Sequence, residues 1–173
     1  MATYSQQAAE QGREPGRAMH WLWLSLLLLL VDQASKYLAR VMLAYGENVP
    51  VTSFFNWTHR HNPGAAFSFL ANAGGWQQTF LIGLALVISV LLVYWLWRSP
   101  RILSYRLALS VILGGALGNV MDRLRLGYVE DFLDFHYAHW HWPSFNLADV
   151  WIVVGAILFI WTEIRQSPDK RRR

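Results

Sequence analysis

The run HWLWLSLLLLLVDQASKYL, residues 20–38, decides how the rest of the chain is read. It is long enough to cross a bilayer, for which a helix needs about 20 mostly apolar residues. Three further segments follow the same pattern: Thr79–Trp97, Leu107–Met121 with its glycine-rich lead-out, and Ala148–Trp161 with its flanks. Four such helices use most of the 173 residues. The expected architecture is therefore a single all-α membrane domain over residues 20–166, between a polar, disordered cytoplasmic tail at 1–19 and a basic cytoplasmic tail at 167–173. Composition agrees: 54% of residues are hydrophobic, and the 15% that are charged fall well below the soluble norm of about 25%.

Residues 21–31 also have the form of a cleavable signal sequence. Two features argue for a retained helix: the tail ahead of it is long and carries Glu10 and Glu14, and the helical pattern continues past Asp32 through KYLARVMLAY. Lys and Arg set the orientation. Ten lie in the two tails and the second connection, and four lie in the first and third connections. By the positive-inside rule both termini are cytoplasmic, and residues 39–75 and 123–147 face outward. The net charge of +4 belongs to this topology, so no nucleic-acid partner is expected. The absence of cysteine excludes disulfides, thiol nucleophiles and Cys-based metal sites.

The outer connections are more than linkers. PVTSFFNW, residues 50–57, reads as a short strand, and HNPGAAFSFL, residues 61–70, as a turn with a second strand. The expectation is a small outer β element over about 48–72. HYAHWHWPSF, residues 136–145, has the aromatic and histidine content of a headgroup layer.

A charge inside a span costs roughly 2.5–3.5 kcal/mol, so the acids need a reason. Asp32 and Lys36 are four apart and share a helix face. They form either a neutralised structural pair or part of a site. Topology brings Asp32 and Lys36, Asn119, Asp122 and Arg123, Asn146 and Asp149, and Asp131 to one depth near the outer interface. No phosphate loop or HExxH metal motif is present, and GGALGN inside an apolar helix reads as close packing. His59 and His61, or His136, His139 and His141, are more simply headgroup anchors than metal ligands. Two close carboxylates remain, one protonated and one ionised, which can activate water. Spacing does not choose between Asp131 and Asp134, which would share a face on a helix. Asp149 at a helix start can equally be a structural cap.

Five separated motifs, DQASK (32–36), NPGAAF (62–67), GGALGNVMDR (114–123), VEDF (129–132) and FNLAD (145–149), resemble those of the lipoprotein signal peptidase (signal peptidase II) family of bacterial membrane aspartyl proteases. The resemblance covers about residues 20–165. It implies four transmembrane helices, a small extracytoplasmic β-cradle and a peripheral amphipathic helix. It also implies cleavage of diacylglyceryl-modified prolipoproteins before the lipidated Cys, at the outer face of the cytoplasmic (inner) membrane. Carried onto this chain, it makes Asp131 and Asp149 the catalytic pair. Asp32, Lys36, Asn62, Gly64, Asn119, Asp122, Arg123, Asn146 and Ala148 become supporting or substrate-binding positions. It implies no metal and no cofactor. Its partners are the prolipoprotein substrate, membrane lipid and a cyclic peptide inhibitor of the globomycin type. Glu130 stands where an uncharged residue is expected, and we expect it to point away from the pair. The competing function is a small transporter or proton channel using the acids as a relay, but the inner halves of the spans are essentially uncharged.

Overall fold

The computed structural model describes residues 18–64, 74–100 and 102–170. Four long helices dominate: α1 (Leu22–Met42), α2 (Trp76–Trp97), α3 (Leu103–Leu126) and α4 (Leu147–Lys170). Each contains a window apolar enough to cross a membrane, with spans at Met19–Met42, Trp76–Trp97, Leu103–Leu126 and Leu147–Gln166. Twenty-four helical residues extend about 36 Å, ample for a hydrocarbon core of about 30 Å. Leu27, Leu30, Val87, Val90 and Ile157 are exposed on the outer faces of their helices. An apolar belt of this extent is stable only with lipid as its solvent.

The glycine-rich helix α3 lies in the middle and packs on the other three. Its glycines mark where neighbours come closest. A Cβ on Gly114 would sit 2.9 Å from the Ser25 carbonyl oxygen of α1, and one on Gly115 would strike the Ala148 carbonyl oxygen of α4. Ser25 Oγ also donates to the Ser110 carbonyl at 2.8 Å. Such small-residue seams let backbones approach where no hydrophobic effect drives helices together. Further along, Leu92, Leu96, Leu109 and Leu113 form a buried cluster with Ala18, which is 1% exposed. Ala18, two residues ahead of the boundary read from the sequence, thus takes part in the packing; residues 1–17 lie outside the described residues.

At the other end of the helices the chain forms one antiparallel sheet in the order β1 (Asn48–Pro50), β2 (Phe55–Asn62), β3 (Val129–Tyr137), β4 (Trp140–His141). Gly127, at φ +79, ends α3 in the left-handed region and turns the chain straight into β3. Arg60 pairs with Asp131 and His61 with Glu130, across an irregularity between Trp57 and Arg60. Two expectations are corrected here. Residues 50–57 are not one strand: they span the end of β1, a bend and the start of β2, because Val51 and Thr52 donate back to the Phe55 carbonyl. The β element is also not confined to 48–72, since β3 and β4 come from the third connection. The second strand expected within 61–70 falls largely outside the described residues, as does most of the segment before α2; no peripheral helix occurs among the described residues.

Gly118 faces Asp32 so closely that a Cβ would lie 2.5 Å from Asp32 Oδ2, whereas Gly83 in α2 has nothing within 4 Å. Gly118→Ala is therefore expected to destabilise the protein by about 1–3 kcal/mol, and Gly83→Ala to be neutral or slightly stabilising. Thermal unfolding of both variants in one detergent checks the pair.

Candidate active site

The site is built from the ends of three spans and two strands. Lys36 of α1 is 1% exposed, and its Nζ lies 2.8 Å from Asp32 Oδ2 and 2.7 Å from Asp122 Oδ2. The (i, i+4) pair is real, but it is completed by an acid from α3. The remaining lone pairs are also used. Asp32 Oδ1 accepts from the Ala148 N–H at 2.8 Å, and Asp122 accepts from Gln33 Nε2 at 2.8 Å and the Glu130 N–H at 3.3 Å. One ammonium thus fastens α1, α3, the start of α4 and β3 to each other.

From Lys36 a chain of asparagines leads to the other acids. Lys36 Nζ donates to Asn119 Oδ1 at 3.1 Å, and Asn119 Nδ2 donates to Asp149 Oδ1 at 2.8 Å. Asn146 caps α4 reciprocally with Asp149: its Oδ1 accepts from the Asp149 N–H at 3.0 Å, while its own N–H reaches Asp149 Oδ2 at 3.4 Å. Its Nδ2 donates to Asp131 Oδ1 at 2.7 Å, and Asn62 Nδ2 donates to Asp131 Oδ2 at 3.1 Å. Asn146 therefore touches both Asp131 and Asp149. The cap and the site are the same residues.

Arg123 donates to the Gly64 carbonyl at 2.9 Å and the Asn119 carbonyl at 3.2 Å, joining α3 to the turn after β2. Gly64 N–H in turn donates to Asn62 Oδ1 at 3.0 Å. All eleven residues singled out from sequence lie in this one region. The rest of NPGAAF, Ala65–Phe67, lies outside the described residues.

Asp131 and Asp134 lie on a strand, not a helix, and three residues apart on a strand they face opposite ways. Asp134 is held by Asn56 Nδ2 at 2.8 Å and His141 Nδ1 at 3.0 Å, away from Asp149. Their acidities diverge accordingly. Burial, then the nearby Asp149 charge, raise Asp131 from 3.8 to about 7, against hydrogen bonds from Asn146 and Asn62. Burial pushes Asp134 the same way, but its bonds from Asn56 and His141 prevail and hold it below the usual carboxylate range. Glu130, next to Asp131 on the strand, turns to the other face, toward Arg40 Nη1 at 3.5 Å and His59 Nε2 at 3.8 Å.

A cavity of about 570 Å³ opens beside these groups, lined by Asn62, Asn119, Arg123, Trp142, Phe145 and Asp149 among others. Asp149 faces it directly; Asp131, 2% exposed, is hydrogen-bonded to the lining residue Asn62. A smaller apolar cleft of about 210 Å³, lined by Leu81, Leu84, Ile88 and Ile112, shares Asn119, Arg123 and Ile152 with it. A buried acid with its pKa raised thus lies close to a second carboxylate, at the edge of an apolar groove between helices.

The family model for signal peptidase (SPase) II matches residues 24–165. The chain belongs to the signal peptidase II family. It is 49% identical over 149 residues to a lipoprotein signal peptidase of Polynucleobacter necessarius, covering 86% of this chain and 91% of the relative. It is 52% identical over 139 residues to one from Serratia marcescens, covering 80% and 81%. A bacterial membrane enzyme solved by the in meso method at 2.3 Å resolution superposes with a TM-score of 0.81 at 28% identity, over 93% of this chain and 97% of that one. Family membership and four spans make this chain a multi-pass membrane peptidase.

Sequence reading missed Gln33 as an individual. Its Nε2 contacts Asp122 at 2.8 Å and the Gly118 carbonyl at 3.2 Å, so it braces the ion cluster from the side. The only signal was its place inside DQASK. Asn56 carried no signal at all, because its role depends on strand register.

Removing Lys36 leaves two buried carboxylates without a counter-charge, so Lys36→Met is expected to cost about 3–5 kcal/mol, read as a lowered unfolding midpoint. For Asp131 the sign runs the other way from most acids. Between 3.8 and about 7 the folded chain keeps a proton that the unfolded chain has released, so raising pH across that window lowers stability. Stability curves measured from pH 4 to 8 should show this slope shrinking in Asp131→Asn.

Proposed function

We propose that this chain is an aspartic endopeptidase that removes signal peptides from diacylglyceryl-modified prolipoproteins, cutting before the lipidated Cys. The observation that carries the mechanism is Asn146 bridging two acids, one of which, Asp131, has its pKa raised to about 7. In this reading Asp149, which faces the cavity, is the general base and takes a proton from a water there. The hydroxide equivalent adds to the scissile carbonyl while Asp131 gives its proton to the carbonyl oxygen. As the resulting diol collapses and the C–N bond breaks, Asp149 passes its gathered proton to the departing amine and Asp131 takes back a proton from a diol hydroxyl, so the acyl product leaves as the acid and both carboxyls return to their starting state.

The substrate class is supported by the relatives' shared name and by the shape of the site. An apolar signal peptide suits the cleft at Leu81, Leu84 and Ile88, with its cleavage point beside Asp149. Arg123 and Asn62 supply donors at the cavity wall for the peptide backbone. Acyl chains on the Cys would lie between helices or in lipid and hold the bond at this depth, which raises its effective concentration. The basic residues support the orientation: both termini cytoplasmic, sheet and site at the outer face. A cyclic peptide of the globomycin type would occupy the same cavity.

Asp131→Asn and Asp149→Asn should each lower cleavage of a lipid-modified prolipoprotein by on the order of 10²–10⁴-fold. Asp134→Asn should keep most of its turnover, and the reverse pattern would overturn the assignment. Turnover should also decline as pH rises above about 7, where Asp131 loses its proton. The precursor with diacylglyceryl-Cys should be cut far faster than the same peptide with a free Cys in one detergent. Equal rates would reduce the chain to a general intramembrane peptidase.

A further inference from the structure

On the face of the sheet opposite Asp131, three side chains meet that the proposed reaction does not use. His59 and His61 of β2 lie on the same side as Glu130 of β3, and one ligand-type atom from each falls within 4.8 Å of the others. His59 is 6% exposed and Glu130 is 3% exposed, so both are taken out of water. His59 Nδ1 lies 3.2 Å from the Leu43 carbonyl oxygen. A carbonyl only accepts, so Nδ1 carries a proton, and the tautomer that this contact selects has its lone pair at Nε2. That lone pair has no hydrogen-bond partner, and neither does Glu130 Oε1, which it faces at 3.8 Å. Two buried acceptors directed at one another are unfavourable unless something positive lies between them.

A proton on Nε2 would answer this poorly, because 3.8 Å is too long for a hydrogen bond. Arg40 Nη1 is 3.5 Å from Glu130 Oε1, also beyond a good bond, and its side chain is 31% exposed. A small divalent cation fits better. Zinc bonds imidazole nitrogen and carboxylate oxygen at about 2.0–2.2 Å, which places tetrahedral ligand atoms roughly 3.3 Å apart. The gap between His59 Nε2 and Glu130 Oε1 is 3.8 Å, and His61 has a ring nitrogen within 4.8 Å of both, so small side-chain shifts would close the set. His59 already has the backbone carbonyl partner on its far nitrogen that orients metal-binding histidines. His61 is stacked on Tyr128, with centroids 3.8 Å apart, and lies 4.4 Å from Tyr45, so its ring is held in place.

We propose that His59, His61 and Glu130 form a Zn²⁺ site, with water in the fourth position, which clamps β2 to β3 behind the catalytic face. The site is structural and no step of peptide hydrolysis passes through it. It ties the end of α1, through Leu43, to the strand that carries Asp131. It also gives a role to an acid that stands where the sequence pattern anticipates an uncharged residue.

The test uses the full chain, purified in detergent without a polyhistidine tag, stripped by a chelator and then titrated with Zn²⁺ against a chromophoric competitor. One equivalent should bind, and the thermal midpoint should rise with it. His61→Ala, at a half-exposed position that should fold, and Glu130→Gln should each weaken binding at least about tenfold and lose the thermal shift. His136→Ala combined with His141→Ala should leave both readouts unchanged, since those rings belong to a separate cluster. Failure of the unaltered chain to bind one equivalent overturns the proposal. So does binding that survives His61→Ala and Glu130→Gln, or that vanishes with the His136 and His141 pair. Binding and midpoint are read without substrate, so the result stands whatever role Asp131 proves to have.

Discussion

Lys36 is an ammonium group removed from water, and the rest of the molecule is arranged around that fact. Desolvating one cation and two carboxylates costs several kcal/mol per ion, which is recovered only when every charge has close partners. Here each does: Asp32 and Asp122 flank the ammonium, and the Ala148 and Glu130 N–H groups with Gln33 fill the remaining acceptor positions. Because those partners come from α1, α3, the start of α4 and β3, satisfying one charge fixes four elements at once. A hydrophobic replacement would pack, but it would not fix the height of α4 against α1.

That fixed height is what the site inherits. Asn119 receives the ammonium on one side and holds Asp149 on the other, and Asn146 spans from Asp149 to Asp131. Asparagine suits these bridges because its amide both donates and accepts and carries no charge of its own. The contrast on β3 shows how far surroundings decide acidity. Asp131 and Asp134 are three residues apart on one strand, yet burial beside Asp149 raises one while two donors hold the other low.

The membrane supplies the third constraint. Within lipid the helices gain nothing from burying apolar area, so they associate through close backbone approach at Gly114, Gly115 and Gly118 and through polar contacts such as Ser25 to Ser110. The same closeness brings Gly118 against Asp32 and so serves packing and the ion cluster together. An apolar cleft between α2 and α3 adjoins the cavity beside Asp149, the two sharing Asn119, Arg123 and Ile152.

The sequence by itself determined the four spans, because 20-residue apolar runs admit few other solutions, and it determined that Asp32 and Lys36 share a face, because helical spacing is rigid. Five ordered motifs also carried the family, and the eleven positions singled out with them lie together in the structure. What only the tertiary structure decided is everything that depends on strand register and on partners far along the chain. Asp122 completing the Lys36 cluster, Asn146 reaching Asp131, Asn56 holding Asp134, and His59 facing Glu130 all link residues between 15 and 86 positions apart. The split of residues 50–57 into two strands and the placement of Asp131 on a strand belong to the same class. β pairing is set by neighbours rather than by local preference, and a shift of one residue would turn Asp131 to the face that Glu130 now occupies.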